Sequence, residues 1–299
     1  MAVATPSAPG RRTTTTMGQV PDTWHQALLL SRYQFRDYLR SRRFVLMMAI
    51  VAAIGAILSF ILAYYHGSAT VSGLTSSSDA FYGSVWGGGV YVVIIFAGII
   101  FGGDAIAGEF QNKTGYFLMG LPIRRATVYV GKFLAAFAAS IVAMLVYLVI
   151  LVANGAVYLG TGFFPLALVE SFAIALLYLL ALLGAVFLFS SMFKNSLYAV
   201  LVVAILFLFG FTLIEDLIIG LVKIEPWFII DYARITISYP FDSTLPPHIA
   251  TMTTLGPRGS SLTSTVYNPT YPEGLAIMAG YFILTAIAGL FFFEREEFT

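Results

Sequence analysis

The 299 residues are 59% hydrophobic and only 10% charged, with a formal net charge of +1. Soluble domains carry about 25% charged residues, and so little charge cannot cover the surface of one this long, which makes the chain an integral membrane protein. Cysteine is absent, which excludes disulfides, thiolate metal sites and a cysteine nucleophile.

Residues 1–22 are rich in Ala, Pro, Ser and Thr and read as a disordered tail, with residues 23–299 as a single transmembrane domain. No apolar run follows the tail closely enough to make it a secretory signal. Ser41-Arg42-Arg43-Phe44-Val45-Leu46 imitates a twin-arginine export signal. The apolar run behind it is about 22 residues long and has no clear A-x-A cleavage site, so it reads as a retained span.

Residues 24–43 predict an amphipathic helix on the membrane surface. Trp24, Ala27, Leu28, Phe35, Tyr38 and Leu39 share one face. Arg32, Arg36, Arg40 and Arg43 form a row beside it, placed for anionic lipid headgroups.

A crossing helix needs about 20 apolar residues. Six segments qualify: 44–65, 85–107, 132–153, 168–192, 197–214 (or as far as 222) and 274–293. Of the 16 Lys and Arg residues, all but Lys223, Arg234 and Arg258 fall on the side that holds both termini. The positive-inside bias makes that side cytoplasmic.

The external stretch 223–273 holds seven prolines, which are Pro226, Pro240, Pro246, Pro247, Pro257, Pro269 and Pro272. Trp227 to Phe241 predicts a part that packs on the membrane or on itself. Leu245 to Tyr271 predicts irregular chain.

Four carboxylates adjoin the spans: Asp104, Glu170, Glu215 and Asp216. They read as interfacial or capping groups rather than an ion relay. Glu215-Asp216 could also mark a break, with Leu217 to Val222 as a short re-entrant turn. Gly98-x-x-x-Gly102 permits close helix approach, either within the chain or between subunits.

Catalytic signatures are missing. Gly131-Lys132 has Ala126 where a P-loop needs its first glycine, and Phe133 follows the lysine. There is no H-E-x-x-H and no G-x-S-x-G. His25, His66 and His248 are far apart, so no metal site is expected on this chain. Neither a cofactor nor nucleic acid is expected on it.

The densest polar stretch runs from Asp104 to Lys132. A helix over 108–120 puts Phe110, Thr114, Phe117, Leu118 and Leu121 near one face. Glu109, Asn112, Lys113 and Tyr116 fall on another. Glu109 and Lys113 are i, i+4 in the favourable order. Pro122 stops the helix, and Arg124, Arg125 and Lys132 flank the next span. From the residues alone this is either a braced cytoplasmic helix or a loop with basic anchors.

Asp104, Glu109, Lys113-Thr114-Gly115, Pro122-Ile123-Arg124-Arg125 and Gly131-Lys132, in that order, resemble the cytoplasmic loop of ABC-2 type transporter permeases. The resemblance implies an all-α integral membrane fold of six transmembrane helices. An N-terminal elbow helix, a cytoplasmic coupling helix between spans two and three, and a large extracellular loop between spans five and six complete it.

It further implies an exporter permease in the cell membrane, with both termini cytoplasmic. A separate nucleotide-binding subunit would carry the ATP and magnesium. A second permease, identical or different, would complete a dimer. Glu109, Phe110, Lys113, Thr114, Tyr116, Pro122, Arg124 and Arg125 would couple to the ATPase. Arg32, Arg36 and Arg40 of the elbow helix would meet the lipid surface and form a second contact. Tyr91, Phe96, Phe101, Phe207 and Phe211 would line the path near spans one, two and five. Two alternatives are a secondary transporter working without ATP and a non-transporting, mechanotransmitting assembly factor.

Overall fold

The computed structural model describes residues 23–65, 67–112, 123–160, 164–255 and 261–295. It is mostly helical, with six helices long and apolar enough to cross a membrane. These are span one (Arg42–Tyr64), span two (Ser78–Gln111), span three (Arg125–Leu159), span four (Ala167–Met192), span five (Ser196–Val222) and span six (Tyr271–Arg295). Spans two and four form the centre of the bundle. Spans one, five and six bury little of their surface and form its periphery.

The amphipathic helix α1 covers Thr23–Arg40. It stops earlier than its expected end at residue 43, because Ser41 is extended (φ −79°, ψ 151°) and its Oγ accepts from the Phe44 amide at 3.3 Å. That is an N-cap, so a new helix begins at Arg42. Arg43 therefore belongs to span one and leaves the arginine row.

The expected apolar face of α1 is also divided. Ala27 and Tyr38 are buried and Phe35 half-buried, while Trp24, Leu28 and Leu39 stay exposed. The buried edge lies along span three, where a Cβ at Gly131 would sit 2.8 Å from Leu30 Cδ2 and 3.1 Å from the Ala27 carbonyl oxygen. Glycine is what allows the two helices to touch there.

Spans two and three are longer than expected. At 35 residues, span three reaches about 50 Å against a hydrocarbon core of about 30 Å. The sequence reading began it at Lys132 because a charge should sit at an interface. The structure buries Lys132 inside the helix and supplies it with partners instead.

Span two carries a π-helical turn at Gly98–Gly102. Added Cβ atoms would collide with Leu182 at Gly98 and approach Val186 Cγ1 to 2.8 Å at Gly102. Both partners lie on span four, so the G-x-x-x-G pair packs within the chain. The chain then turns and closes on a short helix, Ala107–Gln111. The expected coupling helix over 108–120 lies from residue 113 outside the described residues, as does the rest of the stretch to residue 122, with Lys113, Thr114, Tyr116 and Pro122 in it.

Span five runs unbroken through Glu215 and Asp216 to Val222, so no break or re-entrant turn forms there. Lys223 ends it in the left-handed region (φ 55°, ψ 37°), its amide bonded to the Ile218 carbonyl at 2.9 Å.

Beyond span five, 3-10 turns at Ile230–Ile237 and Tyr239–Phe241 cap the bundle. Ile230, Tyr232, Ala233 and Ile237 are fully buried. The Trp86 indole donates to Ser171 Oγ at 2.9 Å, and that hydroxyl donates to the Ile237 carbonyl. The cap is thereby tied to spans two and four.

The stretch expected to be irregular contains an antiparallel hairpin, β1 (Ile249–Leu255) and β2 (Ser261–Tyr267). Its register puts Ile249 opposite Tyr267 and Leu255 opposite Ser261. Threonine-rich, β-branched runs favour such strands. The membrane part is all-α, and this hairpin is the exception among the described residues.

Candidate functional site

The polar end of the bundle is assembled where span two finishes. Arg43 of span one holds Asp104 through two contacts, Nη1 to Oδ1 at 2.7 Å and Nη2 to Oδ2 at 2.5 Å. Such a fork is the strong form of a carboxylate pair. Ser196 Oγ adds a donor to Asp104 Oδ2 at 3.3 Å. Lys132 of span three donates to Glu109 Oε1 at 2.5 Å and to the Ala105 carbonyl at 2.9 Å. The Lys132 and Glu109 side chains are only 8% and 17% exposed.

Backbone groups freed by the turn also find partners. Ser190 Oγ of span four accepts from the Ile106 and Ala107 amides at 3.1 and 3.2 Å. Gln111 Oε1 accepts from the Ser196 amide at 2.8 Å. The turn and the short helix are thus fastened together to spans one, three, four and five.

An open polar cleft of about 320 Å³ lies between this segment and α1, lined by Gln34, Asp37, Tyr38, Asp104, Glu109 and Lys132 among others. Tyr38 donates to the Phe101 carbonyl at 2.9 Å. Burial, and then the Asp104 carboxylate, push its hydroxyl pKa well above the ordinary phenol range, so it stays a neutral donor.

The expected coupling residues divide between inward and outward positions. Glu109 is engaged with Lys132. Phe110 is half-buried and stacks edge-on to Phe293 of span six, ring centres 6.2 Å apart. Arg125 donates to the Glu294 carbonyl at 2.9 Å. Arg124 is exposed at the start of span three, and Arg32, Arg36 and Arg40 are exposed on α1. The expected Glu109–Lys113 pairing involves a residue outside the described ones; Glu109 also meets Lys132, a contact across 23 residues that helical spacing could not reveal.

The expected path residues separate as well. Phe101 is fully buried and packs on Tyr38 and Phe44 at 5.4 and 6.3 Å, under α1. Phe96 is half-buried. Phe207 and Phe211 pack on each other at 5.0 Å on span five.

Tyr91 belongs to a polar cluster that the sequence reading missed. Its hydroxyl bonds to Asp231, and the Arg234 guanidinium sits 5.1 Å from its ring centre. Thr212 donates to Asp231 Oδ2 at 3.1 Å, and Arg234 Nε lies 3.3 Å from Oδ1. Glu215 comes within hydrogen-bonding reach of Asp231 and has a buried oxygen with no hydrogen-bond partner. It thus faces the cap at the outer end of span five. The only sequence signal was Glu215 itself, an acid on an apolar helix.

A family model described as ABC-2 family transporter protein matches residues 28–298. The chain belongs to the ABC-2 transporter family. No curated protein is similar enough in sequence to add a closer relative. As an ABC-2 protein it is a multi-pass transporter membrane subunit, and it is not itself the catalytic part. ABC-2 permeases generally work with an ATP-binding subunit. The match begins inside α1 and ends beyond span six, so it takes in the charged end and the cap alike.

Proposed function

We propose that this ABC-2 chain is the permease of an ATP-driven exporter in the cell membrane. The end carrying Asp104 and Lys132 faces the cytoplasm, with both termini, and the cap faces outward. A separate nucleotide-binding subunit holds ATP and magnesium and seats on the segment that follows Gln111. A second permease, identical or different, completes the path.

The observation that carries this reading is the double anchoring of the segment before residue 113. Arg43–Asp104 ties it to span one and Lys132–Glu109 ties it to span three. A push on residues 113–122 then moves two spans together rather than bending a loop. Glu109 and Phe110 act as anchors within the permease, while Lys113, Thr114, Tyr116 and the exposed Arg124 supply the docking face. Arg32, Arg36 and Arg40 face lipid headgroups or the ATPase. The Tyr91–Asp231–Glu215 cluster, beside Phe207 and Phe211, contacts substrate on its way out.

The test is purification in mild detergent with the native neighbouring proteins, followed by ATPase assays in liposomes. An associated ATPase is expected, stimulated by the permease and uncoupled by Lys132→Met. A chain that purifies with no ATPase partner, or transport in liposomes without ATP, would reject this reading.

A further inference from the structure

We propose that the outer cap holds a divalent transition-metal site of the Zn²⁺ class, formed by Glu225, His248 and Glu273. The spacing of the three histidines gives no hint of it, because two of the ligands are carboxylates from other segments. Glu225 follows the end of span five, His248 precedes β1, and Glu273 lies in the first turn of span six. The fold brings one ligand atom from each to within 4.8 Å of the other two.

The histidine turns Nε2 toward the other ligands. His248 Nδ1 lies 2.8 Å from the Asn268 carbonyl oxygen. A carbonyl only accepts, so Nδ1 carries the proton. In neutral imidazole the lone pair is then on Nε2. Nε2 faces Glu225 Oε2 at 3.3 Å. A proton on Nε2 would join this one pair, whereas a metal ion between the two would also take in Glu273, the third ligand. His248 is 41% exposed, so a metal ion and its water can reach it.

Each ligand also has an outer partner that fixes its direction, the usual support of a metal site. Asn268 holds the imidazole. Tyr232 donates to Glu225 Oε1 at 2.5 Å, leaving Oε2 to face inward. The Thr270 amide donates to Glu273 Oε2 at 3.0 Å, leaving Oε1 unused by that cap. Ligand atoms around tetrahedral zinc stand about 3.4 Å apart. Glu225 and His248 are already at that spacing, and Glu273 has to close by at most about 1.4 Å. One imidazole with two carboxylates suits zinc and its neighbours rather than calcium or magnesium, and leaves a fourth position for water. Bound metal would staple the cap to spans five and six.

The test uses the full-length, tag-free chain in detergent or nanodiscs at pH 7.5, stripped with chelator. Zn²⁺ is titrated by calorimetry, with Co²⁺ absorption as the second probe. One Zn²⁺ per chain is expected, with a rise in thermal midpoint and visible Co²⁺ bands. His248→Gln and Glu273→Gln should each weaken Zn²⁺ binding by about 10-fold or more. Retained thermal unfolding without metal shows that each variant is folded. Absence of Zn²⁺ binding by the wild-type chain overturns the site. So does equal binding by wild type and both folded variants, or Ca²⁺ binding as tightly as Zn²⁺.

Discussion

Lys132 reaches from the interior of span three to Glu109 at the end of span two, 2.5 Å away and almost out of water. The same ammonium takes the Ala105 carbonyl, so both elements are fixed by one side chain. Removing one partner leaves the other charge buried without its closest counter-charge, which costs up to about 3–5 kcal/mol in comparable pairs. Lys132→Met should therefore lower thermal stability more than the paired Glu109→Gln, Lys132→Met double variant does. An additive double variant in thermal unfolding would show that the pair does not interact.

Arg43 is a different case, because its side chain is 51% exposed. Solvent screening reduces such a pair to about 1 kcal/mol or less. Arg43→Ala should lower the thermal midpoint less than Lys132→Met does, and it frees Asp104, itself 10% exposed, from span one. The expected result is an intact complex whose ATPase no longer responds to substrate. Arg43→Lys keeps the charge and loses the two-pronged geometry, so its coupling should fall between the two.

Gly98 tests the packing of span two on span four. A valine there drives its side chain into Leu182, and overpacking of this kind costs about 1–3 kcal/mol. Leu182→Ala opens the same space from the other side. The combination Gly98→Val, Leu182→Ala should melt above Gly98→Val alone. Failure to recover stability would place the strain elsewhere.

Asp231 is buried and faces Arg234, Thr212 and Tyr91. Asp231→Ala should be destabilising by about 2 kcal/mol after allowance for the 37% exposure of Arg234. Asp231→Asn retains the shape and part of the bonding and should cost less. If substrate touches this cluster, Asp231→Asn lowers transport at near-normal stability, read by flux assay beside a melting curve.

Tyr38 gives a pH dependence with a definite sign. Its hydroxyl pKa is raised in the fold, while in the unfolded chain it ionises near pH 10. Above that pH the unfolded state loses a proton that the folded state keeps, so stability falls as pH rises. Below it the contribution is fully present. Tyr38→Phe should melt lower at neutral pH, from the lost bond to Phe101, but decline less steeply above pH 10. Parallel curves for the two proteins would contradict this.

The membrane class, the number of spans and the amphipathic α1 were legible because they depend on local composition and period. Lipid rewards a run of apolar residues wherever the chain places it, so hydropathy alone locates spans one, four and six within a few residues. The boundaries that moved did so at charges. By sequence Lys132 and Arg43 mark an interface; in the fold each has a carboxylate from a distant segment. The hairpin was overlooked because prolines on either side outweighed its β-branched residues. The polar stretch after span two is legible as a run of charges, but the anchoring of its first residues is not.

The sequence by itself determined that this is a six-span membrane protein with a polar segment between spans two and three, since burial in lipid needs only length and apolarity. The tertiary structure decided which charges meet and which of them leave water. Lys132 with Glu109, Asp231 with Arg234, and His248 with Glu225 and Glu273 become groups only when separate segments meet. A buried charge is tolerated only where a partner of opposite sign or a hydrogen bond awaits it, and no local pattern states where that partner will be.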